Sequence, residues 1–240
     1  MRDDFDSLRR ILTENLWYFG SRADFDDKLD CIVPGVVISR QFLERLVVSR
    51  EGFTSESWRS RVDMMASDPD AGDSVAVRVQ QDVDHVGMLC LSELDDDSEL
   101  WRLYGGNGHG VCLGLDMTQV VNDDNFGLRG PFQVSYSDQR KMAWDPRPQG
   151  IRRLAQAEDH LLRKQTAWKY QKEWRFIMHK DNEKTVGYHS VPCGALSTLI
   201  FGRRLTAAEC KEIASWVQAG PWNPLPRIYC REPVQVTYEL

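Results

Sequence analysis

The sequence predicts an α+β fold, with mixed, largely antiparallel sheets and helices packed around them, and three observations carry that expectation. Short apolar, β-prone runs recur along the chain, among them "VGMLCLS", "GVCLGLD" and "STLIFG". Other stretches place apolar residues at helical spacing. The two kinds of segment do not alternate in the regular strand-helix-strand order that a parallel sheet needs.

Taken in order, Phe5, Leu8, Ile11 and Leu12 lie three and four apart, so residues 1–14 are read as an N-terminal helix. "NLWYFG" is a short strand closed by Gly20, and "CIVPGVVIS" is apolar and β-branched around a Pro34-Gly35 bend. "SRQFLERLVVSR" has a helical face of Phe42, Leu43, Leu46 and Val47 behind a Ser39 cap, and a polar helix is expected around 54–66. "SDPDAGDS" is a loop. The "VGMLCLS" and "GVCLGLD" strands flank an acidic helix "DDDSELWRLY" and the loop "GGNGHG". "FQVSYS" is a further strand, and 150–167 reads as a long basic helix. After a strand at 168–177 come "YHSVP", "STLIFG", a helix from Thr206 to Gly220 and two closing strands. No stretch has linker composition, so residues 1–240 are taken as a single domain, closed by the helix and strands of 203–240.

The chain has 240 residues, 42% of them hydrophobic and 28% charged, which is ordinary for a globular protein with a sizeable core. Its longest apolar runs are too short to cross a bilayer, and the acidic "MRDDFDSLRRIL" start resembles neither a signal nor a transit peptide. A cytoplasmic protein without a membrane partner is expected. Six scattered cysteines, with no C-x-x-C pair, fit reduced thiols and give no zinc spacing, so no metal is assigned. Phosphate loops of the G-x-x-x-x-G-K-[ST] kind and the G-x-G-x-x-G fingerprint are missing, as is G-x-S-x-G. The net charge of −6 is uneven. Residues 140–184 hold twelve Lys/Arg against six Asp/Glu, leaving the remainder strongly acidic. That basic stretch could attract an anionic ligand or a nucleic acid, or could be a solvated face.

The segment "WKYQKEWRFI", 168–177, raises the sharpest question. On a strand, side chains two apart share a face. Gln171, Glu173 and Arg175 would then line one face, opposite Tyr170, Lys172, Trp174 and Phe176. The polar face is either solvated or a site.

Several motifs, in order, resemble the family filed as domain of unknown function 2971. They are Phe25-Asp26-Asp27-Lys28-Leu29-Asp30 for a family F-N-D-P-F-D; Cys90-Leu91-Ser92-Glu93, Trp101, Tyr104 and Gly110-Val111-Cys112-Leu113-Gly114-Leu115 for C-F-S-E…M-W-x-x-Y…G-V-C-x-G-F; Tyr170-Gln171-Lys172-Glu173-Trp174-Arg175 for Y-E-K-E-W-R; and the late "LIFG". The likeness spans roughly 16–202. The chain departs from it at Asp26, Lys28 and Gln171, at Tyr18 where the family usually has a basic residue, and at a displaced histidine, His109.

A more distant similarity is to ADP-ribosyltransferases, through Q-x-E behind a Ser-bearing strand and an early aromatic strand. That resemblance implies NAD as cofactor and Glu173 as the carboxylate that binds the nicotinamide ribose and stabilises the oxocarbenium ion, a preorganised electrostatic task. It implies Gln171 facing a nucleic-acid or protein acceptor, Ser92 near the ribose, Tyr104 stacking on nicotinamide, and Tyr18 and Arg22 holding the dinucleotide, Arg22 by a bidentate phosphate contact. The implied role is a toxin or phage-defence effector, with an antitoxin as a further partner; the alternative is a non-catalytic module sensing a nucleotide or a phage component. Each residue has a plainer reading beside this one. Glu173 could be salt-bridged to Arg175 or Lys172, Gln171 and Arg22 could be surface residues, Ser92 could cap a strand end, and Tyr104 could be core. "GGNGHG" could let a ligand approach the backbone closely or be a simple turn.

Overall fold

The computed structural model describes residues 5–33, 36–37, 60, 63–64, 67–68, 76–77, 80–81, 83–121, 128–138, 142–143, 160–178 and 185–231. In chain order the elements are α1 (Phe5–Glu14), β1 (Trp17–Phe19), β2 (Val36–Val37), β3 (Gly87–Ser92), α2 (Ser98–Leu103), β4 (Val111–Leu115), α3 (Met117–Val121) and β5 (Leu128–Gln133). They continue with β6 (Ser135–Tyr136), β7 (Met142–Ala143), β8 (Arg163–Lys164), β9 (Glu173–Met178), β10 (Gly187–His189), β11 (Leu196–Phe201), α4 (Ala207–Ala219) and β12 (Arg227–Cys230). The fold is mixed α and β. Strands β3, β9 and β5 form an antiparallel sheet in that order, and β11 lies between an antiparallel β4 and a parallel β12.

The chain groups into two compact units. One holds Met1–Gly20, Gly87–Gln133 and Tyr170–Leu240; the other holds Ser21–Val86 and Val134–Lys169.

The first unit contains both three-stranded sheets and a large apolar core. Helix α1 buries Phe5 and Leu12, and α4 buries Cys210, Ile213, Trp216 and Val217. These meet Phe176 and Met178 of β9 and Leu196, Leu199 and Phe201 of β11. Each fully buried side chain of this size contributes about 1.5–3 kcal/mol. Buried polar groups at the end of α1 are paired. Asn15, at φ 54, follows the helix in the left-handed region that asparagine tolerates. Its Nδ2 donates to the Val191 carbonyl at 2.6 Å, while its Oδ1 accepts from Trp17 Nε1 at 3.0 Å. Helix α4 starts as its sequence predicts, with a reciprocal capping box between Thr206 and Glu209.

The second unit contains the short parallel pairs β2–β7 and β6–β8. Its "FDDKLD" stretch is held by local bonds. Ser21 and Asp24 form a capping box, and Lys28 Nζ donates to the carbonyls of Phe25 at 2.8 Å and Ala23 at 3.3 Å. Lys28 thus closes the turn through its charge.

Two expectations are corrected. The basic helix predicted over 150–167 does not run through its end: Leu162 turns the chain, β8 pairs with β6, and Thr166–Gln171 form a 3-10 helix. The strand predicted over 168–177 begins only at Glu173. The Ser39 helix, Arg152, Arg153 and the last closing strand lie outside the described residues. Among the described residues, no helix is long and apolar enough to cross a membrane.

Candidate functional site

The chain enters β9 through a sharp change of direction. Gln171 ends the 3-10 helix, and Lys172 adopts φ 43, a left-handed conformation costing a non-glycine residue about 1–2 kcal/mol. Gln171 therefore does not share a strand face with Glu173, because the period-two argument applies only where the backbone is extended. Glu173 and Arg175 do share one.

Ser92 and Glu173 are directly opposed partners in the antiparallel β3–β9 ladder, so their side chains leave the same side of the sheet. The Ser92 hydroxyl donates to the Gln171 carbonyl at 2.7 Å and accepts from the Leu94 N–H at 3.0 Å. The buried Gln171 side chain donates from Nε2 to the Tyr104 hydroxyl at 2.9 Å. Tyr104 is the C-cap of α2 and is 58% exposed, so its ring faces water while its hydroxyl is held. Three segments distant in sequence, at 92, 104 and 171–173, thus meet at one end of the β3–β9 pair.

The bonds continue between motifs. The Glu93 N–H donates to the Lys172 carbonyl, and Trp174 Nε1 donates to Glu93 Oε1 at 2.8 Å. The C-L-S-E and Q-K-E-W-R motifs therefore hold each other, a coupling that neither shows alone. Glu173 is buried, and its Oε1 accepts from Arg175 Nε at 2.6 Å, with Arg175 fully buried. An ion pair removed from water needs close geometry of this kind to offset its desolvation. The salt-bridged reading of Glu173, with Arg175 as partner, describes this contact.

The remaining predicted residues lie elsewhere. Tyr18 on β1 packs its ring on Tyr188 of β10, with centroids 5.3 Å apart. Gly20, just after β1, bridges to Met88, whose position on β3 is about 14 Å along the strand from Ser92. Arg22 belongs to the second unit, where its Nε pairs with Asp84 at 3.0 Å. A carboxylate occupies the fork suggested for a phosphate.

One lysine of the basic stretch packs inside the second unit. Lys164 is buried, pairs with Asp30 at 3.5 Å and places its ammonium over the Trp168 ring. Asp30 in turn accepts from the Cys31 thiol. Among the described residues, no group of three or more His, Cys, Asp or Glu side chains is arranged to hold a metal ion.

Residues 100–176 match the model of a family described as a protein of unknown function, DUF2971. That span includes Trp101, Tyr104, the Gly-Val-Cys strand and the Q-K-E-W-R segment, so it supports the family likeness over the part of the chain that carries most of the cluster. No curated protein and no solved structure matches the chain.

Proposed function

We propose that the cluster at the Ser92 end of β3 and β9 takes a nucleotide, NAD first among candidates, and that the chain is an ADP-ribosyltransferase with Glu173 as its carboxylate. The observation that supports this reading is the direct opposition of Ser92 and Glu173, with Gln171 and the exposed Tyr104 tied to the same place. In the reaction, the C–N bond to nicotinamide breaks, nicotinamide leaves with the bonding pair and positive charge develops on the ribose. A fixed carboxylate stabilises that charge. The acceptor's nucleophile then bonds to the same ribose carbon and gives its proton to solvent. Tyr104 offers a ring to the departing base, and its hydroxyl bond to Gln171 holds one edge of that ring. Gln171, placed on the turn, reaches the cluster from beside the strand and orients the nucleic-acid or protein acceptor from there.

The Glu173–Arg175 pair favours a second reading, the non-catalytic nucleotide-sensing module. The arginine fixes the carboxylate but also offsets much of the field that an oxocarbenium ion would feel. One experiment separates the two. Purified protein is incubated with NAD, and both binding and nicotinamide release are measured, alongside Glu173→Gln. Release by the wild type and its loss in the variant support the transferase. Saturable binding without release supports the module. If NAD neither binds nor reacts, the transferase and a module that senses NAD both fail, and only a module for another nucleotide or a phage component is left.

A further inference from the structure

Glu93 bonds to both neighbours of Glu173. Its backbone N–H donates to the Lys172 carbonyl at 3.3 Å, and its carboxylate accepts from Trp174 Nε1 at 2.8 Å. The residue before it, Ser92, donates its hydroxyl to the Gln171 carbonyl at 2.7 Å. Ser92 and Glu93 thus hold the groups on either side of Glu173.

The grip falls on a left-handed residue. Lys172 is at φ 43, a conformation that a non-glycine residue keeps only where its surroundings hold it. The carbonyls that would swing if Lys172 relaxed, its own and that of Gln171, are the two that accept these bonds. Beyond the turn, Trp174 follows Glu173 on β9, so its indole leaves the opposite face of the sheet. Tying that indole N–H to a carboxylate fixes the rotation of the strand about its axis, which sets where the Glu173 side chain points. Glu93 is exposed, and its carboxylate meets the indole away from the Glu173 face. It acts on Glu173 through these neighbours.

We infer that Glu93 is a positioning residue, which holds the segment 171–174 so that the Glu173 carboxylate stays in the one place from which it can work. Its consequence for catalysis rests on the reading of Glu173 as the transferase carboxylate; the placement itself does not. Loss of the Glu93 side chain should damage the chemical step more than the binding of a ligand.

The test uses Glu93→Ala, Glu93→Gln and Trp174→Phe. Glutamine keeps an oxygen acceptor for the indole N–H, and phenylalanine keeps a ring without the donor. Arg175 Nε, which donates to Glu173 Oε1 at 2.6 Å, is a reporter that needs no ligand. Its N–H resonance is followed by NMR, with Glu173→Gln as the reference for a disturbed contact. Glu93→Ala and Trp174→Phe are expected to move the resonance toward that reference, and Glu93→Gln to leave it near its wild-type position. In parallel, kcat for nicotinamide release from NAD is expected to fall about tenfold in the first two variants with little change in KM, because a misplaced carboxylate is felt in the transition state. A resonance that stays in place in Glu93→Ala, or that moves as far in Glu93→Gln, overturns the inference whatever the urea midpoints do. A loss of release carried by KM instead of kcat overturns it too. If the wild type releases no nicotinamide while the resonance still moves in Glu93→Ala and returns in Glu93→Gln, the transferase reading fails and Glu93 remains the residue that places Glu173.

Discussion

The Glu173–Arg175 pair of the first unit and the Asp30–Lys164 pair of the second are both withdrawn from water, yet they are built in opposite ways. The first is local: two residues on one strand face, an arginine, and a 2.6 Å contact. The second joins segments far apart in sequence through a lysine, at 3.5 Å, and Lys164 holds its charge over an indole. Arginine's planar fork concentrates its donors on a carboxylate, whereas an ammonium is a point charge that shares its field. The first pair is the tighter and the less forgiving of change.

The largest effect is therefore expected from Arg175→Met. It removes the guanidinium from beside the buried Glu173 carboxylate, a defect worth about 3–5 kcal/mol, read as a drop in the urea midpoint. Adding Glu173→Leu to that variant should restore most of the loss, because two apolar groups of similar volume need no mutual compensation. If the double variant is as unstable as the single one, the arginine's worth lies in other contacts.

Lys164→Met should cost less, toward the lower end of that range of about 3–5 kcal/mol, since the contact is longer and the Cys31 thiol still donates to Asp30. Lys164→Arg should not recover it fully, because the larger planar guanidinium cannot occupy the buried ammonium's place between Asp30 and the Trp168 ring without displacing neighbours. Equal losses at Arg175 and Lys164 would erase the contrast between the two pairs.

The same contrast explains what was legible in the sequence. The Glu173–Arg175 contact follows from spacing alone, because a strand puts i and i+2 on one face, and helices α1 and α4 follow from apolar spacing and caps. Asp30–Lys164 could not be read, since no local rule joins those positions; the charge count showed only that residues 140–184 are basic and the remainder acidic. Gln171 was misplaced for a backbone reason. A lysine at φ 43 carries no sequence signature, so the run of Trp, Tyr and Phe looked like unbroken strand. The meeting of Ser92 with Glu173 was expected from the resemblance, while the bonds that interlock Glu93 with Trp174 and Lys172 come from tertiary pairing.

A smaller effect tests the link to the exposed rim. Tyr104→Phe removes the acceptor of the Gln171 amide, and Gln171→Ala removes its donor. Each should cost about 1 kcal/mol, and the double variant should cost little more than either alone, a coupling that reports the bond itself. Additive losses would show that the two side chains act separately and would detach Tyr104 from the cluster.

The smallest effect concerns a third way of burying an ionisable group, which is to keep it neutral. Burial pushes the thiols of Cys112 and Cys210 above their ordinary range, with Asp95 adding to the rise at Cys112 and Cys230 and Glu209 at Cys210. Burial governs these two groups, where Glu173 and Asp30 each meet a cation. The thiolate is the nucleophile, so at mildly alkaline pH the exposed Cys90 and Cys193 should be alkylated well before Cys112 and Cys210. The sign of the stability effect follows from the same shift. A thiol whose pKa is raised in the folded state holds its proton after the unfolded chain has lost it. The folded protein is therefore favoured fully below the unfolded thiol pKa and progressively less as pH climbs toward the folded values. Urea midpoints of the wild type should decline through that alkaline window, and Cys112→Ala, which removes one such thiol, should flatten the decline slightly. An unchanged slope, together with alkylation of Cys112 as fast as Cys193, would mean that this thiol is already open to water.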